Sequence, residues 1–320
     1  MASTAAVHGG ERGREADSPK DIPSRGWLDI VKRVGRQLSR DRVSIIAAGV
    51  AFYALLALFP ALAALVSLYG LAFDPSQVRE HASVVTQLLP PDAADILVKQ
   101  LDSLTQTDRT ALGIAAIGGL LVALWSSASG VKTLMEAMNV AYHEEERRGF
   151  FKLNAIALLL TLGAIVASII AITIIVALTA AIPLLGLGQV GQVGLAVAQL
   201  VLLALLMAFG LAVIYRFGPS RESARWAWVS PGAGIATLLW LLGSALFSLY
   251  VKSFASYNET YGSMGAIVIL LTWFLLTAYA ILIGAEVNSE MERQTRKDTT
   301  RGEPAKLGER GAYAADTVGE

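Results

Sequence analysis

Residues 153–215 read LNAIALLLTLGAIVASIIAITIIVALTAAIPLLGLGQVGQVGLAVAQLVLLALLMAFGLAVIY, a run of 63 positions without one Asp, Glu, Lys or Arg. A hydrocarbon core of roughly 30 Å is crossed by about 20 helical residues at about 1.5 Å rise each. The run is therefore too long for one crossing and long enough for two. It is interrupted by Pro183 and by Gly186, Gly188, Gly191 and Gly194, which read as a tight turn between two helices. Moving outward, four more windows carry no charge, at 43–73, 110–131, 226–251 and 260–285. Together they predict six transmembrane helices at 44–70, 111–131, 154–182, 191–215, 228–250 and 265–285, and so an all-α integral membrane protein. Only 16% of the 320 residues are charged, against about 25% in soluble domains. The first apolar run begins only after residue 42 and is long enough to span, which does not fit a cleaved signal peptide.

Basic residues fix the orientation. Of the 26 Lys and Arg, 22 fall before the first span, in the second and fourth connections, or after the last span. The other side holds only Arg79, Lys99, Arg109 and Lys252. Both termini are expected in the cytoplasm. Residues 1–24 and 291–320 are polar, of mixed charge, and are expected to be disordered head and tail. Residues 25–42 form a basic amphipathic helix, with Trp27, Val31, Val34 and Leu38 on one side and Lys32, Arg33, Arg36 and Arg40 opposite. Such a helix lies on an anionic inner leaflet or packs its apolar face on the bundle ends. Residues 43–290 make the membrane domain. Its outer loop, 72–110, has apolar residues at helical spacing around Pro90–Pro91, which reads as two short amphipathic helices over the outer mouth.

Several functions are excluded on composition. The 26 basic and 26 acidic side chains cancel, which removes a global field for nucleic acid. No cysteine is present, so disulfide scaffolds, iron–sulfur clusters and thiolate zinc sites are out. Three histidines, His8, His81 and His143, are scattered over three regions, and no cluster of metal ligands or nucleophile motif appears. No cofactor is expected. Gly186–Gly191 satisfies GxGxxG literally, but a dinucleotide site needs a strand before it and a βαβ unit around it; here the run joins two spans.

Two polar clusters remain as candidates. On the inner side, Trp125, Ser126, Lys132, Glu136, Asn139 and Tyr142 continue down the second helix; Lys132 and Glu136 stand one turn apart and could pair. Small and hydroxyl residues at 126–130 suit close helix contact and interhelical hydrogen bonds. Glu286 and Asn288 sit where the last helix leaves the hydrocarbon, with Arg216 or Lys132 as possible partners of Glu286 on neighbouring helix ends. At the outer side, Tyr257, Asn258, Tyr261 and Gly262 lie in a short connection within an aromatic belt that begins at Tyr250. No span carries a charge at its middle, which argues against a buried carboxylate relay and against a voltage sensor.

The stretches AAGVAFYALLALFPALAALVSLYG (47–70), LWSSASGVKTLMEAMNVAY (124–142), YRFGPS (215–220) and the run from PGAGIATLLW at 231 to GAEVN at 288 resemble the BrkB/YihY family of six-span bacterial inner-membrane proteins. The resemblance covers most of residues 40–290 and includes polar as well as apolar positions. It implies a membrane protein for which transport or envelope-related duties are suspected. A ribonuclease label attached to such proteins finds no matching metal cluster or soluble domain in this sequence. Two functions are carried forward: translocation of an amphiphile or small solute, and a non-transporting scaffold for envelope assembly.

Overall fold

A computed structural model describes residues 12–72, 98, 112–185, 188–253 and 263–319. The described chain is helical, and its one β-bridge joins Ala224 to Thr300. A 17-residue helix, α1 (Ser24–Arg40), is followed by six long helices: α2 (Val43–Ala72), α3 (Leu112–Ala141), α4 (Phe150–Leu185), α5 (Gln189–Phe217), α6 (Trp226–Ser253) and α7 (Ser263–Glu292). A single turn, α8 (Tyr313–Asp316), closes the tail. The break between α4 and α5 comes after Leu185, two residues beyond Pro183, and Gly188 caps α5. The outer loop, apart from residue 98, lies outside the described residues.

Five of the long helices are long and apolar enough to cross a membrane: Val43–Leu65, Phe150–Ala180, Gln189–Phe217, Trp226–Val251 and Ile267–Glu292. The predicted spans lie within the six long helices to within one residue. Each long helix packs on the next in chain order, and α7 returns to pack on α2, so the six close into a ring. Large apolar side chains such as Phe52, Leu121, Leu159, Val201, Leu242 and Val268 are exposed on its flank. In water such a belt would be an aggregation surface; it fits a lipid solvent.

Among the described residues, a large buried core gathers at one end of the ring. Ile30, Met138, Tyr142, Tyr215, Trp228, Leu282 and Met291 are buried together, and residues 12–23 and 293–319 close over them. These two termini depart from the expected disorder. The Gln294 side chain donates to the Arg12 carbonyl at 2.6 Å, the Arg296 amide to the Arg14 carbonyl at 2.8 Å, and the Gly319 amide to the Arg293 carbonyl at 2.8 Å. Arg310 inserts into the tail and donates to the carbonyls of Ala315, Lys297 and Arg296. Head and tail are each too polar to build an apolar core, but each satisfies the other's backbone groups, and the pair is held where neither would be alone. We refer to this end, with residues 142–152 and 217–225, as the plate.

Candidate functional site

The plate is where the helix ends bring ionisable groups together out of solvent. α7 supplies the buried carboxylates Glu286, Glu290 and Glu292 from its last turns, past Ala285, with the polar Asn288 and Ser289 among them, each at most 1% exposed. Glu292 receives two hydrogen bonds from the Arg221 guanidinium, at 2.9 and 2.7 Å. Arg221 also lies over the Tyr142 ring, 5.1 Å from its centroid. Burial opposes the Arg221 charge, but the facing Glu292 outweighs it and holds this guanidinium above the usual arginine range. Burial, with Glu292 adding to it, pushes the Tyr142 hydroxyl up. Glu290 is clamped between Arg33 of α1 and Arg293; Arg33 further donates to the Gln294 side chain at 2.7 Å.

Three of the expected contacts give way to others. Arg33, placed by sequence among the lipid-facing cations with Lys32, Arg36 and Arg40, is 5% exposed and belongs to the Glu290 pair. The reason is the rotation of α1. Its buried face holds Gly26, Ile30, Arg33, Val34 and Gln37, at the seam between the apolar and basic sides, so Leu28 and Val31 are left exposed. Glu286 does not meet Arg216 or Lys132. Arg216 donates to the Ala224 carbonyl and lies 4.7 Å from the Trp226 ring centroid. Lys132 donates to Asn154 at 3.1 Å and sits over the Trp125 ring instead of pairing with Glu136, which is exposed.

Asn139 and Asn288 have structural duties. Asn139 accepts from the Ser220 amide at 2.7 Å and donates to Glu146 at 3.2 Å. Hydrogen bonds from Arg148 hold the Glu146 carboxyl down at about 2, against a partial burial that works the other way. Asn288 accepts from the Gly232 amide at 2.8 Å and donates to the Val229 carbonyl at 3.2 Å. It thereby ties α7 to the turn of α6 around Pro231, where the ring removes a backbone donor. Of the hydroxyls near Ser126, Ser127 and Ser129 bond back to their own helix. Close helix contact comes from Gly130, where an added methyl would stand 2.8 Å from Ala57 of α2. Tyr257, Asn258, Tyr261 and Gly262 lie outside the described residues.

Glu286 is different in kind. It is 0% exposed, and neither of its oxygens has a hydrogen-bond partner. Its carboxyl is in side-chain contact with that of Asp41, at the junction of α1 and α2; Glu290 and Arg293 are its other charged neighbours. Sequence reasoning singled out Glu286 but not Asp41, Glu290, Arg221 or Glu292. One signal was available: Glu286, Glu290 and Arg293 recur at four and three residues on one helix face. Among the described residues no group of three metal-ligating side chains occurs.

Comparisons with known proteins agree with the membrane architecture. The chain is 31% identical over 263 residues to YfkH of Bacillus subtilis, named as a ribonuclease-like protein, covering 78% of this chain and 90% of that one. It is 28% identical over 266 residues to a UPF0761 membrane protein of Vibrio parahaemolyticus, covering 81% of each. A UPF0761 membrane protein of Chromohalobacter salexigens is 26% identical over 284 residues, covering 86% of this chain and 67% of the relative. No solved structure matches. The model of the family described as virulence factor BrkB matches residues 34–308. The chain, a multi-pass membrane protein by these relatives and by its helices, belongs to the BrkB family.

Proposed function

We propose that this protein translocates an amphiphile or small solute across a bacterial inner membrane, through a bundle of six crossings whose cytoplasmic mouth is closed by the plate. The carrying observation is the concentration of buried ionisable groups, among the described residues, at one mouth of a ring whose spans carry no charge at their middle, with Glu286 left without a donor from the protein. A static structural end would be expected to satisfy such a group; buried polar groups left unpaired cost about 1–3 kcal/mol each. The test is reconstitution of the purified chain in vesicles, with lipid scrambling and solute flux screened in parallel. The reading predicts flux by the intact protein that is impaired by replacing Glu286, Lys132 or Asn258 at unchanged protein level. Unaltered flux in all three variants counts against a path through this bundle.

Six crossings with both termini inside are supported by the head-to-tail hydrogen bonds, because ends bonded to each other lie on one side and require an even number of spans. Five helices qualify by composition, and α3 supplies the sixth. The exposed Leu28 and Val31, next to Lys32, Arg36 and Arg40, fit contact of α1 with anionic lipid. That surface also favours a second reading, a scaffold that docks partners on the membrane. Scaffolding predicts a protein that co-purifies with a partner, loses it on deletion of 25–40, and moves neither lipid nor solute alone.

A further inference from the structure

The contact between Asp41 and Glu286 has no explanation as an ordinary ion pair. Both groups are carboxyls, and when both are ionised neither has a proton to donate. Yet they touch, and Oε1 and Oε2 of Glu286 and Oδ2 of Asp41 are buried with no donor from the protein. We propose that Asp41 and Glu286 form a proton-binding site, a single proton shared between the two carboxyls, which latches the α1–α2 junction to the end of α7. The inference stands apart from translocation, since a latch of this kind would serve a scaffold equally well.

Three observations favour a proton over a metal ion. First, two carboxylates in contact repel strongly where water is excluded, and one shared proton turns that repulsion into a hydrogen bond. Second, the nearby guanidiniums are already engaged by other carboxylates: Glu290 is bonded by Arg33 and Arg293, and Glu292 by Arg221. Third, the corner is short of oxygens for a hard cation, which takes six or more. Ser289, one turn along α7, offers one further unpartnered hydroxyl, while the facing Arg293 repels a cation. Tyr142, at the end of α3, counts Glu286 among its charged neighbours, and His143 follows it in the chain. The His143 ring contacts the Gln37 side chain at 2.6 Å, and the Gln37 carbonyl accepts from the Asp41 amide at 2.8 Å.

The sign of the coupling follows. Removing the proton leaves two like charges in contact, so the latch loosens as pH rises and tightens as it falls. The test uses the full chain in detergent. Infrared spectra of the unmodified protein should contain the carbonyl band of one protonated carboxylic acid that exchanges slowly in heavy water. That band should be lost in Glu286→Gln, whose amide donates permanently to Asp41. Thermal midpoints should fall as pH is raised through loss of the band in the unmodified protein, and stay flat over the same interval in Glu286→Gln. If Glu286→Gln does not fold, Asp41→Asn supports the same comparison of midpoints, and the spectrum of the unmodified protein is read by itself. Absence of a slowly exchanging acid band overturns the proposal. So does a midpoint that rises with sodium or potassium in the unmodified protein and not in the variant, which would make the pair a cation site.

Discussion

Single side chains at the plate carry unequal burdens, and the imbalance can be measured. Arg221 and Glu292 are 2% and 0% exposed at their side chains and bond in a fork. Truncating Glu292 to Ala leaves a buried guanidinium without its counter-charge, a change that costs about 3–5 kcal/mol when one partner of a buried pair is lost. A large drop in thermal midpoint is expected, and a drop no larger than that of an exposed Glu136→Ala control would show that the pair is not closed to water. Glu146 gives a pH-dependent counterpart. Its carboxyl is held at about 2 by Arg148 hydrogen bonds, below its unfolded value, so its contribution is present above the ordinary carboxylate range and fades as pH falls toward about 2. The difference in midpoint between the unmodified protein and Glu146→Gln should shrink over that interval; a difference independent of pH would remove the assigned role. Asn288 was legible as a polar residue at a helix end. Its dual bond to Gly232 and Val229 was not, because the partners lie 56 and 59 positions away.

Between helices, a close approach is made at Gly232 of α6 and Gly284 of α7. A methyl placed on Gly284 would collide with the Tyr215 hydroxyl, 2.6 Å from the Gly232 carbonyl and 2.8 Å from the Ala236 methyl. Two of these obstacles are backbone or a side chain fixed by its own bond, since Tyr215 donates to the Ile281 carbonyl at 2.8 Å. Gly284→Ala must therefore push α6 and α7 apart, and overpacking of this kind costs about 1–3 kcal/mol. Gly118, Gly119 and Gly163 face open space, so their replacement by Ala serves as the control and should leave the midpoint near that of the parent, or raise it through helix propensity. Equal effects at Gly284 and Gly163 would refute the tight crossing. The long helices were readable because lipid excludes charge and forces each crossing into an uncharged window. The orientation of α1 was not. Its apolar stripe suggested the buried face, but Arg33 is drawn inward by Glu290, 257 positions away, and no periodicity within residues 24–40 encodes a partner that distant.

For the molecule as a whole, the two chain ends are the part that the sequence concealed, and they bear on the topology. Low hydrophobicity in residues 12–23 and 293–319 gave no packing signal. Their order comes from reciprocal backbone bonds and from arginines such as Arg14, which donates to the Gly319 carbonyl at 2.5 Å. The Thr295 hydroxyl donates to the Ala16 carbonyl at 2.7 Å, so these positions are neighbours across nearly the whole chain. Because the protein contains no cysteine, Ala16→Cys with Thr295→Cys creates the only two thiols in it. A short bismaleimide should join them within one chain in intact membranes, giving a product of altered mobility that persists at high dilution of the protein in lipid. A maleimide that cannot cross the membrane, added from outside to spheroplasts, should label neither thiol until the membrane is opened. Labelling of one thiol alone from outside would mean an odd number of crossings and would separate head from tail. The plate, the mouth it closes and the latch between Asp41 and Glu286 would then lose the shared side on which each depends.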